Sequence, residues 1–357
     1  MKGLTVREHM VLYKDAKYNT FPSAIHLNDG GYLVGFRQAP DRRSVYGRYD
    51  HIDPSSKAVT ISSADGRNWS AEAEVLFDHF FYGVQDPCLN VMFDGTIVGT
   101  FFMWKVFETG DLPEQPRDRA VYDQWRARKA GAYTIRSNDD GKTWDQPVAI
   151  SIPDVAIRGT GVQAKDGSLL IPMYRLGSDG FEVLIARTEN CGHTWTIQGT
   201  VRSIDGCDFQ EPLLYRAPSG KLIVLMRTRL QGSRPEANRC PLYTSESTDD
   251  GVTWSRPAAQ PFYSPSPFHG LLLKDGRLLL TYGHRYEPYG IRAALLDPEC
   301  ERWDASEEIV LREDASGRDI GYTSSVQLDD HTVLVTYYYY DTDGYRYIAG
   351  TLCELQG

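Results

Sequence analysis

One eight-residue turn motif recurs four times in this chain, and it constrains the fold more than any other feature. The pattern is Ser-x-Asp-x-Gly-x-Thr-Trp, in which Asp caps backbone N–H groups, Gly permits a positive φ and Trp packs back onto a sheet. Two copies are complete, at 137–144 and 247–254, and two are degenerate, at 62–69 and 188–195. A turn repeated at this long spacing predicts an array of similar β units.

A second repeat counts those units. Six times, a turn signal built mainly on Asp-Gly precedes an apolar run, which marks the second strand of a hairpin. The turn positions recur every 53 to 72 residues, at Gly30, Gly95, Gly167, Gly220, Gly276 and His331. Six four-stranded sheets around an axis form a six-bladed β-propeller. We therefore predict an all-β fold with one domain over residues 1–357 and an insertion in blade two around 108–130.

Composition limits the partners and the compartment. The 22 Tyr, 13 Phe and 7 Trp suit a β-rich protein, and the net charge of −10 argues against a nucleic-acid partner. No apolar run is long enough to span a membrane, and the N-terminus lacks the apolar core of a signal peptide. Six scattered cysteines without Cys-x-x-Cys predict free thiols, a cytoplasmic location, and neither metal nor other cofactor. A secreted protein from which the signal peptide had been removed would show the same N-terminal sequence. The sequence does not predict the oligomeric state.

The register predicts which side chains face the propeller axis. The innermost strand of each blade precedes the turn, so residues nine positions before it occupy equivalent places. His269 lies two residues beyond Pro267, the blade-five member of this set, and so on the same strand face. Because buried charges are costly unless paired or used, the set favours a functional pocket over a polar plug. The residues nine positions before the six turn positions are Phe21, Asp86, Arg158, Glu211, Pro267 and Tyr322.

Several arginines are expected near one mouth of this cavity. Seven residues after the turn position, second strands carry Arg37 and Arg227, and Arg285 and Arg292 follow in blade five. Each alone reads as a surface or ion-pair residue. Guanidinium groups suit carboxylates, so the cluster predicts an acidic substrate.

These motifs resemble the sialidase (neuraminidase) superfamily of Asp-box propellers over nearly the whole chain. The resemblance implies a Tyr nucleophile activated by Glu, an Asp acid/base and three arginines on the substrate carboxylate. Tyr322, in a Gly-Tyr pair opening the last inner strand, resembles the nucleophile, and Glu211, in a Phe-Gln-Glu-Pro run, resembles its partner. Arg227 and Arg292 resemble two of the three arginines, and Asp86 an Asp that faces the substrate.

Two departures change the expected chemistry. The stretch that should hold the first arginine reads Asn-Thr-Phe-Pro-Ser over 19–23, and Arg158 on the channel face could replace the missing group. The acid/base Asp expected near residue 56 is also missing. The preceding loop instead offers Asp50, His51 and Asp53. Arg37 ends a strand that resembles a conserved first-blade segment outside the arginine triad.

Three functions follow as alternatives, all with a glycan as partner. The first is an exo-acting glycoside hydrolase on a terminal acidic sugar, with Tyr322 activated by Glu211 and the acid supplied by His51 or a loop Asp. The second is a uronate-directed lyase or unusual glycosidase of the rhamnose–glucuronate type, with His51 as base. The third is a catalytically altered carbohydrate-binding propeller. His269 and Arg285 are specificity contacts in any of them, and the first alternative is the prediction.

Overall fold

The computed structural model describes residues 3–178, 180–204, 206–231 and 239–356. These residues form six antiparallel sheets, with one short helix α1 (Arg43–Tyr46) and one 3-10 turn (Trp303–Ala305). The predicted all-β, six-bladed propeller is confirmed. Of the helices that the structure describes, none is long and apolar enough to cross a membrane.

The strands follow the chain blade by blade. Blade one contains β2 (Tyr18–His26), β3 (Tyr32–Ala39), β4 (Lys57–Ser63) and β5 (Glu74–Phe77), and blade two β6 (Tyr82–Val91), β7 (Ile97–Glu108), β8 (Arg119–Val121), β9 (Trp125–Ser137) and β10 (Val148–Ala149). Blade three contains β11 (Ala156–Ile157), β12 (Val162–Gln163), β13 (Leu169–Leu176), β14 (Phe181–Thr188) and β15 (Thr196–Arg202), and blade four β16 (Cys207–Arg216), β17 (Leu222–Leu230), β18 (Pro241–Ser247) and β19 (Ala258–Tyr263). Blade five contains β20 (Phe268–Leu272), β21 (Leu278–His284), β22 (Gly290–Leu296) and β23 (Ile309–Arg312), and blade six β24 (Gly321–Gln327), β25 (Thr332–Tyr340), β26 (Arg346–Leu355) and β1 (Leu4–Tyr13).

The ring closes by pairing the two ends of the chain. Strand β1 runs antiparallel to β26 and becomes the outer strand of blade six, from Leu4 opposite Leu355 to Tyr13 opposite Ile348. The core is divided among six apolar clusters, and each fills the space between two neighbouring sheets. Stability is therefore spread around the ring, and the axis is left to polar side chains.

The repeated turns are built from their own side chains. In the first complete copy Ser137 Oγ donates to Asp139 Oδ1 at 2.8 Å, and the N–H of Gly141 donates to Ser137 Oγ at 2.9 Å. The degenerate turn of blade one begins one residue later than the sequence pattern suggests. There Ser63 Oγ donates to Asp65 Oδ1 at 3.1 Å, so a shorter turn keeps the same bonds.

The segment around 108–130 is an extended β-hairpin on blade two. Strands β7 and β9 stay paired out to Glu108 opposite Trp125, and β8 adds a short third strand. Arg128 ties the loop down, because its guanidinium donates to both oxygens of Asp118 at 2.8 Å and to the Pro113 carbonyl. We call residues 102–129 the blade-two hairpin.

Candidate active site

Matched distortions of four inner strands build the site. At the predicted register position, Phe21, Asp86, Glu211 and Tyr322 have positive φ values of 60°, 47°, 45° and 55°. The pairing with the second strand shifts at the same point in all four blades, which is the signature of a β-bulge. A bulge re-aims a side chain, and strained non-glycine backbone clusters at functional sites. The propeller thus turns four side chains to one place.

Tyr322, Glu211 and Arg227 form a bonded cluster. The Tyr322 hydroxyl donates to Glu211 Oε1 at 2.6 Å, and Arg227 Nη1 donates to Glu211 Oε2 at 2.5 Å. The same Arg227 nitrogen lies 3.4 Å from the Tyr322 hydroxyl. Blades four and six therefore bring together a phenol, a carboxylate and a guanidinium from three separate strands.

The charges of this cluster follow from burial and pairing. Burial raises the pKa of Tyr322 well above its ordinary value, and the adjacent Glu211 carboxylate adds to the shift. Burial alone would raise the pKa of Glu211, but Arg227 and the Tyr322 hydroxyl outweigh it and lower that pKa. Tyr322 is therefore a neutral phenol that donates to an ionised carboxylate, and its proton has an acceptor already in place.

Two further arginines support Tyr322 from behind. Arg158 donates to the carbonyls of Pro22 and Tyr322 at 3.0 and 3.2 Å, and its guanidinium lies 5.0 Å from the Tyr322 ring centroid. Arg285 donates to the Ile320 carbonyl at 2.9 Å and to the Tyr338 hydroxyl at 2.6 Å, and lies 5.2 Å from the same ring. Backbone carbonyls and the Tyr338 hydroxyl therefore hold both guanidinium groups in place, and substrate binding by Arg158 and Arg285 stays a prediction.

His51 lies on the loop after β3 and is held by an acid that sequence reasoning missed. Its Nε2 is 3.1 Å from Asp319 Oδ1, and its ring meets the Phe21 ring edge-on at 5.1 Å. Asp319 also accepts bonds from Tyr18, Tyr338 and Arg346, at 2.9 to 3.0 Å. Burial alone would raise the pKa of Asp319, but His51 and the nearby arginines lower it. An ionised Asp319 therefore orients the imidazole.

Asp86 and Arg37 are buried polar side chains that lack hydrogen-bond partners, in the part of the chain that the structure describes, for some or all of their polar atoms. Burial raises the pKa of Asp86 to about 7, although Arg158 opposes the shift. Asp86 Oδ1 and all three guanidinium nitrogens of Arg37 are buried without a hydrogen-bond partner among the described residues. Such groups cost free energy, and active sites are where they collect.

One open cavity of about 640 Å³ extends from Asp86 and Tyr322 to the blade-two hairpin. Tyr322, Glu211, Asp86 and His51 line one part of it. The hairpin and blade three line the rest with aromatic and charged side chains: Phe102, Trp104, Arg117, Asp118, Arg119, Arg128, Lys129, Asp154 and Tyr174.

Three predicted site residues lie elsewhere. Asp53 forms a two-bond ion pair with Arg42 at 2.9 and 3.2 Å, and braces its own loop. Arg292 donates to the Arg312 carbonyl at 2.9 Å, because its strand position points it toward the outer strand of blade five. His269 lines a separate axial cavity of about 20 Å³, where burial lowers its pKa to about 3.

The sequence held a signal for some of the residues that reasoning missed. Arg119 and Lys129 belong to the Arg-rich insertion, whose enrichment pointed to a charged surface. No comparable signal marks Asp319, because its role depends on a loop from blade one. Within the described part of the chain, no group of three or more His, Cys, Asp or Glu side chains is arranged to hold a metal ion.

Comparison with known proteins assigns this sequence to a family. The family model of the BNR repeat-like domain matches residues 53–335. The chain belongs to the BNR repeat-like domain family. The resemblance to Asp-box propellers of the sialidase type is thereby confirmed. No curated protein matches the sequence.

Three solved structures are similar to this chain in fold. A protein of unknown function from Dyadobacter fermentans DSM 18053 is 31% identical over 100% of both chains, with a TM-score of 0.89. The Hadza microbial sialidase Hz136 is 18% identical over 94% of this chain and 65% of its own, with a TM-score of 0.68. The Penicillium chrysogenum α-L-arabinanase, solved with arabinobiose, is 13% identical over 98% of both chains, with a TM-score of 0.67. The last two share the fold with this chain.

Proposed function

We propose that this protein is an exo-acting glycoside hydrolase that removes a terminal acidic sugar from a glycan. The observation that carries the proposal is the 2.6 Å hydrogen bond from the Tyr322 hydroxyl to Glu211 inside an open cavity. A neutral phenol does not repel a substrate carboxylate next to the reacting carbon, and tyrosine nucleophiles are a known exception to the two-carboxylate rule. The shared fold with proteins described as a sialidase and an arabinanase supports carbohydrate chemistry by analogy.

In the proposed first step, the Tyr322 oxygen attacks the anomeric carbon while its proton passes to Glu211. His51 gives a proton to the departing glycosidic oxygen. In the second step, His51 takes a proton from water, the water oxygen replaces Tyr322 on the anomeric carbon, and Tyr322 recovers its proton from Glu211. Arg227 stabilises Glu211 in its ionised form before the attack.

The acid/base is assigned to His51 because it lines the cavity, whereas Asp50 and Asp53 are not among the described residues that line it. Asp53 is paired with Arg42, and Asp50 Oδ1 accepts the N–H of Ile52 at 3.0 Å. His51 lines the cavity, and only one of its ring nitrogens has a partner among the described residues. It therefore has a nitrogen available to the leaving group.

The His51–Asp319 pair also favours a second candidate, a uronate lyase. Here His51 removes the proton next to the sugar carboxylate and the glycosidic oxygen leaves by elimination. The product then carries a conjugated double bond, whereas a hydrolase product does not. The two candidates use the same cavity and differ in whether Tyr322 forms a covalent bond.

The test is covalent trapping combined with product analysis on a panel of acidic glycans. A fluorinated analogue of the cleaved sugar should label Tyr322, as mass spectrometry of peptides would show, and Tyr322→Phe should lower kcat at least about 1,000-fold. Glu211→Gln should abolish labelling without unfolding the protein. Products with the ultraviolet absorption of an unsaturated uronate, together with an unlabelled Tyr322, would replace the hydrolase with the lyase.

A further inference from the structure

The blade-two hairpin forms a cationic wall on the cavity that holds Tyr322. Four of its cations line this cavity, and two carboxylates stand among them. Arg128 pairs with Asp118 at 2.8 Å, and Arg117 pairs with Asp154 at 2.8 Å. Arg119 and Lys129 are left without a neutralising carboxylate among the described residues.

These two cations are placed for an anionic ligand. The Arg119 guanidinium lies 5.5 Å from the centroid of the Trp104 ring, which holds it in place while its donors stay open. The Lys129 ammonium has one acceptor, the Asp154 carbonyl at 3.1 Å, and lies 5.7 Å from the Tyr174 ring. Burial lowers the pKa of Lys129 to about 8, so it keeps its charge at neutral pH although it is poorly satisfied.

The same wall leads away from Tyr322 along blade three. A second cavity of about 440 Å³ shares Arg117, Asp154, Leu176 and Phe181 with the first. Together they offer more room than one sugar ring needs. Arg119 and Lys129 line the first cavity, and Arg117 lines both.

We propose that Arg119 and Lys129 bind an acidic group, carboxylate or sulfate, on the sugar unit next to the one held at Tyr322. The ligand class is thus an oligosaccharide with repeated acidic groups. The hairpin supplies this recognition, since Arg119 and Lys129 both line the cavity that holds Tyr322. The inference rests on the proposed function in taking the ligand to be a glycan, but it concerns binding and not bond cleavage.

The experiment measures binding to an array of oligogalacturonides, chondroitin and heparan tetrasaccharides, sulfated galactans and neutral oligosaccharides of matched length. Tyr322→Phe serves as the background so that bound glycans are not consumed. Acidic members should bind at least tenfold more tightly than neutral ones. The double variant Arg119→Gln/Lys129→Gln should lose that tenfold preference, with carboxylated and sulfated arms showing which group is recognised.

The matched control is Arg67→Gln/Lys142→Gln, which removes the same charge at repeated turns remote from the cavity and should keep the preference. Equal binding of acidic and neutral glycans, or an unchanged preference in the hairpin variant, would overturn the inference. Acidic binding that depends on the hairpin, with no cleavage of those glycans by the unmutated protein, would leave the inference standing and defeat the proposed hydrolase. Cleavage of acidic glycans that is unchanged when Arg119 and Lys129 are replaced would support the proposed hydrolase and overturn the inference.

Discussion

Asp86 shows at the scale of one residue how a site is kept at a cost in stability. Its carboxyl is almost fully buried, with one oxygen unpartnered among the described residues, because the bulge aims it at the cavity. A side chain selected for stability alone would not be held this way, since burying a charge without full pairing is unfavourable. The arrangement is typical of a group that meets its partners when a substrate is bound.

We expect Asp86→Asn to stabilise the protein at alkaline pH. The pKa of Asp86 is raised from 3.8 to about 7, so the folded state holds a proton that the unfolded state releases, and stability falls as pH rises between these values. Three pKa units correspond to about 4 kcal/mol, which the variant should recover at pH 8 and barely at pH 4. Urea unfolding at both pH values measures this. A gain that is equal at pH 4 and pH 8 would contradict the shift.

His51 should behave as a group that acts on substrate and not as a loop brace. We expect His51→Ala to lower kcat at least about 100-fold, because the proton donor is lost while the half-exposed side chain contributes little to packing. Since the ring lines an open cavity, added imidazole should restore part of the activity. His193→Ala, on a turn of blade three, is the control and should change neither kcat nor its response to imidazole.

At the scale of the element, the bulged inner strands depend on close backbone approach between blades. Gly159 follows Arg158 in blade three with a φ of 118°, and a Cβ there would lie 2.2 Å from the Pro212 carbonyl oxygen. Pro212 directly follows Glu211, so the packing of blade three against blade four positions the base of the site. The glycine is required by both conformation and space.

Gly159→Ala should therefore destabilise the fold by at least about 3 kcal/mol and also lower activity, because relieving the clash moves the strand that bears Glu211. Gly167→Ala is the matched control, since Gly167 also has a positive φ, 88°, but a Cβ at that position would have no atom within 4 Å. It should lose only about 1 kcal/mol, from backbone strain. Denaturant unfolding compares the two, and equal losses would show that the close approach to Pro212 is unimportant.

At the scale of the whole molecule, the ring is a closed set of interfaces. Blade six carries Tyr322 on its inner strand and borrows its outer strand from the N-terminus. Leu4 and Leu12 of that strand enter two different apolar clusters, which join blade six to blades five and one. The N-terminal strand thus supports the site from the outside of the propeller.

Deletion of residues 1–13 should open the ring. The edge of β26 would be left unpaired, and exposed strand edges promote aggregation. We expect thermal unfolding at least about 10 °C lower than in the full chain, with light scattering on heating. Deletion of residues 1–2 is the control and should melt like the full chain. A truncated protein with an unchanged midpoint would show that β1 is dispensable.

Much of the architecture could be predicted because it depends on signals between residues that are close together in the sequence. Turn residues with a defined job recur at measurable spacing, and the nine-residue offset placed Asp86, Glu211 and Tyr322 correctly on inner strands. The period of two in a strand does not settle which way these three side chains face, because each stands at a bulge that only the structure shows. The family resemblance treated Arg227 and Arg292 alike and could not distinguish Arg227, which reaches Glu211, from Arg292, which turns toward an outer strand.

The sequence by itself determined the number of blades and the level along the axis at which Tyr322 and Glu211 would stand. Only the tertiary structure decided which partners those groups have: Asp319 on His51, Phe21 against Tyr322 at 4.6 Å, and a hairpin wall around the cavity. The reason is physical. Turn and strand preferences act between near neighbours in the chain, whereas the charge and hydrogen bonding of a site arise from groups hundreds of residues apart, brought together only when the ring closes.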